Sequence, residues 1–382
     1  MNYAIIMAGG VGTRFWPKGI AKLPKQYLKI QNDTDSMIQQ TFKRLEGIIP
    51  PANIFVVTNT AYKGLTKKHL PKIPEENIIC EPFGRNTAPC IGLACLYIKQ
   101  FNPRANVVVI PSDHIIKNVE EFGDVVKSGL KFSHDYGGIV TLGISPTKPE
   151  TGYGYIQFDT EEYTEINYKN TEKSSVGTEL FSESEISQNF FEKVYKVKTF
   201  AEKPNLETAK AFIESGDFLW NSGMFIFRVD AMLEEIKINI PDLYDSLEKL
   251  EKSLMSKDFE KELERIYGQI KGISIDYGVM EKSKNVYTIR SYFDWSDLGS
   301  WDEIYNFKEK DADGNVKQGK ALTINSKNCL IINDQRISAL VGVEDLLVIN
   351  TDNGLLICKR GESQNVKEVV DYLRRKGLDQ YL

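Results

Sequence analysis

Histidine is scarce in this 382-residue chain: only His69, His114 and His134 occur. That argues against a multi-histidine metal centre. The five cysteines, Cys80, Cys90, Cys95, Cys329 and Cys358, are odd in number, and no two stand as C-x-x-C. They read as buried thiols of a reducing compartment, so the expected location is cytoplasmic. An excess of basic charge is also missing. With 48 Lys+Arg against 53 Asp+Glu the net charge is −5, which argues against nucleic acid as a partner. No apolar run approaches the roughly 18 residues of a membrane helix. The amino-terminal segment lacks the basic start of a signal peptide, and no membrane partner is expected. Two glycine signatures are absent as well. The P-loop ending Gly-Lys-Ser/Thr does not occur after Gly9 or Gly10. The dinucleotide fingerprint built on Gly10-Val11-Gly12 would need a glycine where Phe15 stands, which disfavours a dehydrogenase.

What is present is a short apolar run leading into Ala8-Gly9-Gly10-Val11-Gly12-Thr13-Arg14, with Lys25 eleven residues on, in Leu-Pro-Lys-Gln. Such a loop brings backbone N–H groups against phosphate oxygens with no side chains in the way. Glycines alone would describe a plain tight turn. Arg14 and Lys25 favour a polyphosphate site, because cations held beside a turn need an anionic partner.

The length suits one large α/β domain plus an appendage, and 41% hydrophobic residues supply a core. Apolar strands at 3–7, 54–58, 106–110 and 138–144 alternate with helical patterns at 37–45, 87–99 and 119–132. This alternation predicts a parallel sheet covered on both faces. Ligands of such sheets bind beyond the carboxyl ends of the strands, where both the glycine loop and Pro111-Ser112-Asp113-His114 fall. Asp113 there is either a ligand for Mg²⁺, which favours one or two carboxylates plus phosphate oxygens, or an ordinary turn or helix-capping aspartate. Residues 150–158 and 220–227 read as strands, 159–192 as a polar surface excursion, 206–214 as a short helix and 230–268 as amphipathic helices. Glu202, Lys203, Asn221 and Ser222 offer the mixed donors, acceptors and cation that a sugar phosphate needs; each taken singly is a turn residue. Asp297, in a Trp-flanked turn, is a candidate second carboxylate. From about 319, short strands at roughly nine-residue spacing lead to a helix striped by Val366, Val369, Val370 and Leu373 and ending at Gly377.

Several motifs occur in order: Gly9-Gly-Val-Gly-Thr-Arg14, Pro24-Lys-Gln26, Glu81-Pro-Phe-Gly-Arg-Asn-Thr-Ala-Pro89, Pro111-Ser-Asp-His114, Phe200-Ala-Glu-Lys-Pro204, Trp220-Asn-Ser-Gly-Met-Phe225, Ser274-Ile-Asp-Tyr277 and Trp295-Ser-Asp-Leu-Gly299. Over nearly its whole length the chain resembles the bacterial mannose-1-phosphate guanylyltransferases (GDP-mannose pyrophosphorylases). The resemblance implies an α/β, Rossmann-like nucleotidyltransferase core with a mixed, mostly parallel sheet over 1–310. It further implies a small C-terminal β-rich, left-handed β-helix-like domain over 319–382, ending in a helix and used in a homodimer. The phosphomannose isomerase domain of longer relatives is expected to be missing.

The implied reaction is GTP plus α-D-mannose 1-phosphate giving GDP-mannose and pyrophosphate, with Mg²⁺. By motif, Arg14 and Lys25 would be catalytic, and Asp113 and Asp297 would hold the metal. Ala8, Gly9, Gly10, Gly12, Thr13, Arg85, Asn86, Thr87 and Ser112 would bind the nucleotide. Gly154, Glu202, Lys203, Asn221 and Asp276 would bind the sugar phosphate. One departure stands out: Gly19 and Ile20 replace the Ser-Arg pair that often follows Trp-Pro, leaving Lys18 or Lys22 as the candidate substitute. The alternatives are a pyrophosphorylase for another sugar or base, and a non-catalytic nucleotide-sugar-binding subunit.

Overall fold

Short apolar segments closed by glycine, proline or asparagine can cross a core only as strands buried on both faces. Four of them, Asn2–Ala8, Ile54–Asn59, Ile78–Glu81 and Asn106–Pro111, form a parallel block of a nine-stranded sheet, in which Ile139–Ile144 and Val286–Ser291 make a further parallel pair. The computed structural model describes residues 1–382 except 11, 31, 33 and 168–190. In space the strands run Ile78–Glu81, Ile54–Asn59, Asn2–Ala8, Asn106–Pro111, Phe218–Arg228, Ile139–Ile144, Val286–Ser291, Phe191–Glu202 and Gly154–Asn167. Phe218–Arg228 is antiparallel to both of its long neighbours, and the last two strands pair as an antiparallel arm, so the sheet is mixed. The helix Thr87–Phe101 buries ten of its fifteen residues and is capped by the Asn86 side chain.

The stretch expected as a surface excursion over 159–192 differs in its described parts. Residues as far as Asn167 and from Phe191 onward are paired strand. A register irregularity between Phe158 and Tyr163 and a glutamate-rich exposed face hide the period-two alternation that marks a strand. The remainder, 168–190, lies outside the described residues.

The described chain packs as two compact units. The first, Met1–Gly9, Phe42–Pro111 and Ile116–Trp295, holds the whole nine-stranded sheet. The second joins three distant segments: Gly10–Thr41, Ser112–Ile115 and Ser296–Leu382. Within it, Leu330–Asn333 and Leu346–Thr351 pair in parallel, and Leu346–Thr351 pairs antiparallel with the last strand, Gly354–Lys359. Its core interleaves Phe15 and Leu28 from the first segment, Ile115 from the second, and Trp301, Leu330 and Val366 from the third. The Phe15 and Trp301 rings meet edge to face at 5.2 Å, and Trp301 Nε1 donates to the Trp16 carbonyl at 3.2 Å. Trp16 Nε1 in turn donates to the Tyr381 carbonyl at 2.8 Å. The residues that follow the glycine loop therefore rest on the same core as the C-terminal strands.

Trp301 is fully buried, and Trp301→Ala would leave a ring-sized hole beneath Phe15. The expected cost is about 3–5 kcal/mol, read as a lower urea midpoint in equilibrium unfolding.

Candidate active site

The first strand ends at Ala8, whose carbonyl accepts a hydrogen bond from Thr58 Oγ1 at 3.1 Å. Gly9 and Gly10 follow, exposed. Gly12 adopts a left-handed conformation, φ 68°, that opens a short 3₁₀ turn over Thr13–Phe15. A Cβ at Gly12 would lie 2.5 Å from Lys25 Cβ. Glycine is thus needed twice here, for its backbone conformation and for the close approach of Lys25. Gly19 has a related role: a Cβ there would lie 2.9 Å from Phe15 Cβ, where the chain folds back and the Gly19 N–H donates to the Phe15 carbonyl at 2.7 Å. Lys18, a candidate replacement for the missing arginine, is paired with Asp334 at 2.9 Å. Lys22, the other, is exposed.

Lys25 is only 5% exposed. Its ammonium donates to Asp113 Oδ2 at 2.7 Å and to the Asp297 carbonyl at 2.6 Å, and it lies 5.2 Å from the centre of the Phe15 ring. A cation taken out of water needs such partners. Burial pushes the Asp113 carboxyl up, but the charges of Lys25 and His114 and the Lys25 hydrogen bond outweigh it and hold the group below its usual range. These residues line a pocket of about 280 Å³ together with Gly12, Thr13, Arg14, Gly299 and the Asp297 side of the turn. Arg14 is exposed at this pocket. Two cations, two aspartates and a glycine turn in one pocket suit a polyphosphate with its counter-ion. His114 and Gly299 line it as well, though sequence reasoning did not single them out. Among the described residues no group of three or more His, Cys, Asp or Glu is placed to hold a metal. Ser112 is buried, and its carbonyl accepts from Thr41 Oγ1 at 3.3 Å.

A second cluster lies in the sheet unit. Asn221 Nδ2 donates to Asp276 Oδ1 at 2.7 Å, while Asn221 Oδ1 accepts from Thr141 Oγ1 at 3.3 Å and the Gly223 N–H at 3.1 Å. A Cβ on Gly154 would collide with Glu202 Oε2 and would lie 3.4 Å from Asn221 Cβ. Lys203, at φ 50°, turns its ammonium onto Glu202 Oε1 at 2.6 Å. All five residues expected around the sugar phosphate thus converge. Burial first, then the neighbouring Glu202 charge, pushes the Asp276 carboxyl up to about 6 against the opposing Asn221 hydrogen bond.

A third group joins the segment after the third strand to residues 267–275. Arg85 donates from Nε to the Tyr267 carbonyl at 2.9 Å and from Nη2 to the Gly268 carbonyl at 3.0 Å. Thr87 Oγ1 accepts from the Ile275 N–H at 2.8 Å, and Asn86 Oδ1 caps the Thr87 N–H. The side chain at this edge that sequence reasoning passed over is Glu81, the last residue of its strand. It is 4% exposed. Its position at a carboxyl strand end, like that of Asp113, was the available signal.

The mixed sheet, the glycine loop and a pocket lined by two cations and two aspartates define the chain as a nucleotidyltransferase. Residues 3–314 match the nucleotidyl transferase family model, and residues 319–373 match the MannoseP isomerase/GMP-like beta-helix domain. The chain is 36% identical over 379 residues to a mannose-1-phosphate guanylyltransferase of Escherichia coli, covering 98% of this chain and 76% of that protein. It is 35% identical over 381 residues to one of Salmonella montevideo, covering 99% and 75%. A solved structure from Thermus thermophilus, described as a mannose-1-phosphate geranyltransferase, aligns with a TM-score of 0.82 at 26% identity, covering 98% of this chain and 99% of that one. This chain belongs to the mannose-1-phosphate guanylyltransferase family.

Gly12→Ala adds a methyl group where Lys25 Cβ already stands. A displacement of about 1 Å in a group that positions a substrate costs on the order of 100-fold in rate. Turnover should fall by that order while far-ultraviolet circular dichroism stays unchanged.

Proposed function

We propose that the chain transfers GMP from GTP to α-D-mannose 1-phosphate, releasing GDP-mannose and pyrophosphate. The observation that carries this reading is the buried Lys25 bridging Asp113 and the Asp297 turn beside Arg14 and the glycine loop. The sugar phosphate is already an anionic nucleophile, so no general base is needed. Its oxygen forms a bond to the α-phosphorus of GTP as the bond to the bridging oxygen of pyrophosphate breaks in line. The protein's work is to align the two and to neutralise charge on the leaving group.

In this reading Ala8, Gly9, Gly10, Gly12, Thr13 and Ser112 cradle the nucleotide, and Arg85, Asn86 and Thr87 shape its base and ribose subsite. Lys25 and Arg14 face the phosphates. Gly154, Glu202, Lys203, Asn221 and Asp276 hold the sugar phosphate. Asp113 and Asp297 would hold Mg²⁺. A set of two hard carboxylate donors in a phosphate-sized pocket fits that ion, which completes its shell with phosphate oxygens and water. When bound, the ion supplies charge neutralisation on the phosphates.

The working form is proposed to be a cytoplasmic homodimer. Among the described residues no helix is long and apolar enough to cross a membrane. The C-terminal strands expose Leu322, Ile324, Val341, Leu355 and Ile357, apolar surface that a second copy would cover.

Pyrophosphate release with GTP and mannose 1-phosphate tests the reaction, run beside ATP, UTP, dTTP and glucose 1-phosphate. The guanine and mannose pair should be the fastest; a faster rate with another pair would overturn the assignment. Lys25→Ala should lose roughly 100- to 1000-fold in turnover while remaining folded. For the dimer, Leu355→Glu combined with Ile357→Glu should convert the species seen by light scattering to a monomer.

A further inference from the structure

Thr87 opens the helix Thr87–Phe101 but does not cap it. The Asn86 side chain does that, accepting the Thr87 N–H at 2.9 Å. The Thr87 hydroxyl is turned to another segment of the chain, where Oγ1 accepts the Ile275 N–H at 2.8 Å. Two backbone hydrogen bonds run beside it. The Ala88 N–H donates to the Ile273 carbonyl at 3.1 Å, and the Ile273 N–H donates to the Arg85 carbonyl at 3.3 Å. Gly272 permits this approach, since a Cβ there would lie 3.2 Å from the Arg85 carbonyl oxygen. The Arg85 guanidinium closes the far end of the clasp on the Tyr267 and Gly268 carbonyls.

Past Ile275 the chain enters a wide π-helical turn over Asp276–Met280, of a kind frequent at functional sites. Asp276 opens that turn, and its Oδ1 accepts from Asn221 Nδ2 at 2.7 Å. Ile275 is fully buried. Its N–H is out of reach of water, and the Thr87 hydroxyl is the acceptor that satisfies it. The residue before Asp276 is therefore fixed by the residue that begins the helix after the third strand. A carboxylate steadied by one side-chain donor is placed accurately only where its backbone is fixed as well.

We infer that Thr87 is a positioning residue for the sugar phosphate, acting through the Ile275 N–H on the place of Asp276. This rests on the function proposed above, which sets Thr87 beside the nucleotide and Asp276 beside the sugar phosphate. The Thr87 backbone borders the first, while its hydroxyl is spent on the second. The two bonds of Ile273 run backbone to backbone and survive any residue at position 87. The bond to Ile275, next to Asp276, depends on the Thr87 side chain. Its removal loosens Asp276 without undoing the clasp. Threonine suits this role: Oγ1 offers the lone pair, and branching at Cβ restricts the directions in which it can point.

Steady-state pyrophosphate release by the full chain, with each substrate varied in turn, tests this. Thr87→Val keeps the shape of the side chain and removes the lone pair. It should raise the KM for mannose 1-phosphate about 10-fold, the span of a buried donor left unmet, and change the KM for GTP by less than about 3-fold. Thr87→Ala removes the same acceptor with a smaller side chain and should give the same split. Thr87→Ser restores the hydroxyl and should return both constants to within about 3-fold of wild type. In an Asp276→Ala background Thr87→Val should add less than about 2-fold, because the two changes act on one contact. An unchanged KM for mannose 1-phosphate in folded Thr87→Val and Thr87→Ala would overturn the inference. So would equal rises in both KM values, or no rescue by serine, or an undiminished effect in the Asp276→Ala background. A wild-type protein that releases no pyrophosphate from GTP and mannose 1-phosphate would instead overturn the proposed function itself.

Discussion

The glycine-loop pocket depends on one buried cation. Lys25 gives up water, and in return receives Asp113, the Asp297 carbonyl and the face of Phe15. Three segments far apart in sequence are tied by that single ammonium. The absence of a side chain at Gly12 makes it possible, because a Cβ there would lie only 2.5 Å from Lys25 Cβ. Asp113 serves as the counter-ion of Lys25. A polyphosphate arriving with its own cation would offer each of them a new partner of opposite charge, so the pocket holds in advance the electrostatic pairing that the reaction would use.

The loop is stiffened from the carboxyl-terminal side of the chain. Phe15 packs on Trp301, Trp301 bonds the Trp16 carbonyl, and Trp16 bonds the Tyr381 carbonyl. Gly19 lets the chain turn back upon Phe15. These contacts make the C-terminal segment part of the support for the glycine turn. A rigid support keeps charged groups at fixed positions and lowers the reorganisation needed when charge moves.

The sheet unit handles its carboxylates in another way. Glu202, Asp276 and Glu81 lie in poorly hydrated surroundings, and the last two are pushed up to about 6 and about 7. Each of these two has one fixed neutral donor nearby, Asn221 for Asp276 and Tyr267 for Glu81. That arrangement orients a carboxylate while leaving acceptor capacity for a ligand carrying hydroxyl or N–H groups, the opposite polarity to the cationic pocket.

Much of this is legible in the sequence. Apolar runs ended by glycine, proline or asparagine announce the parallel strands, because a strand covered on both faces has no polar side to show. The glycine loop, Lys25 and Asp113 are visible as residue types placed at strand ends. The glutamate-rich arm after Phe158 is not legible as strand, since an exposed face and a register shift erase the alternation. Glu81 sits inside a motif without standing out, because nothing local distinguishes a strand-ending glutamate that salt-bridges into solvent from one sealed beneath a tyrosine 186 residues away. Local chemistry, set by neighbours along the chain, determined the elements and the kinds of reactive group. Which of those groups meet, and in what dielectric, was decided by tertiary packing alone: charge interactions depend on separation and burial, and neither can be read from position along a chain.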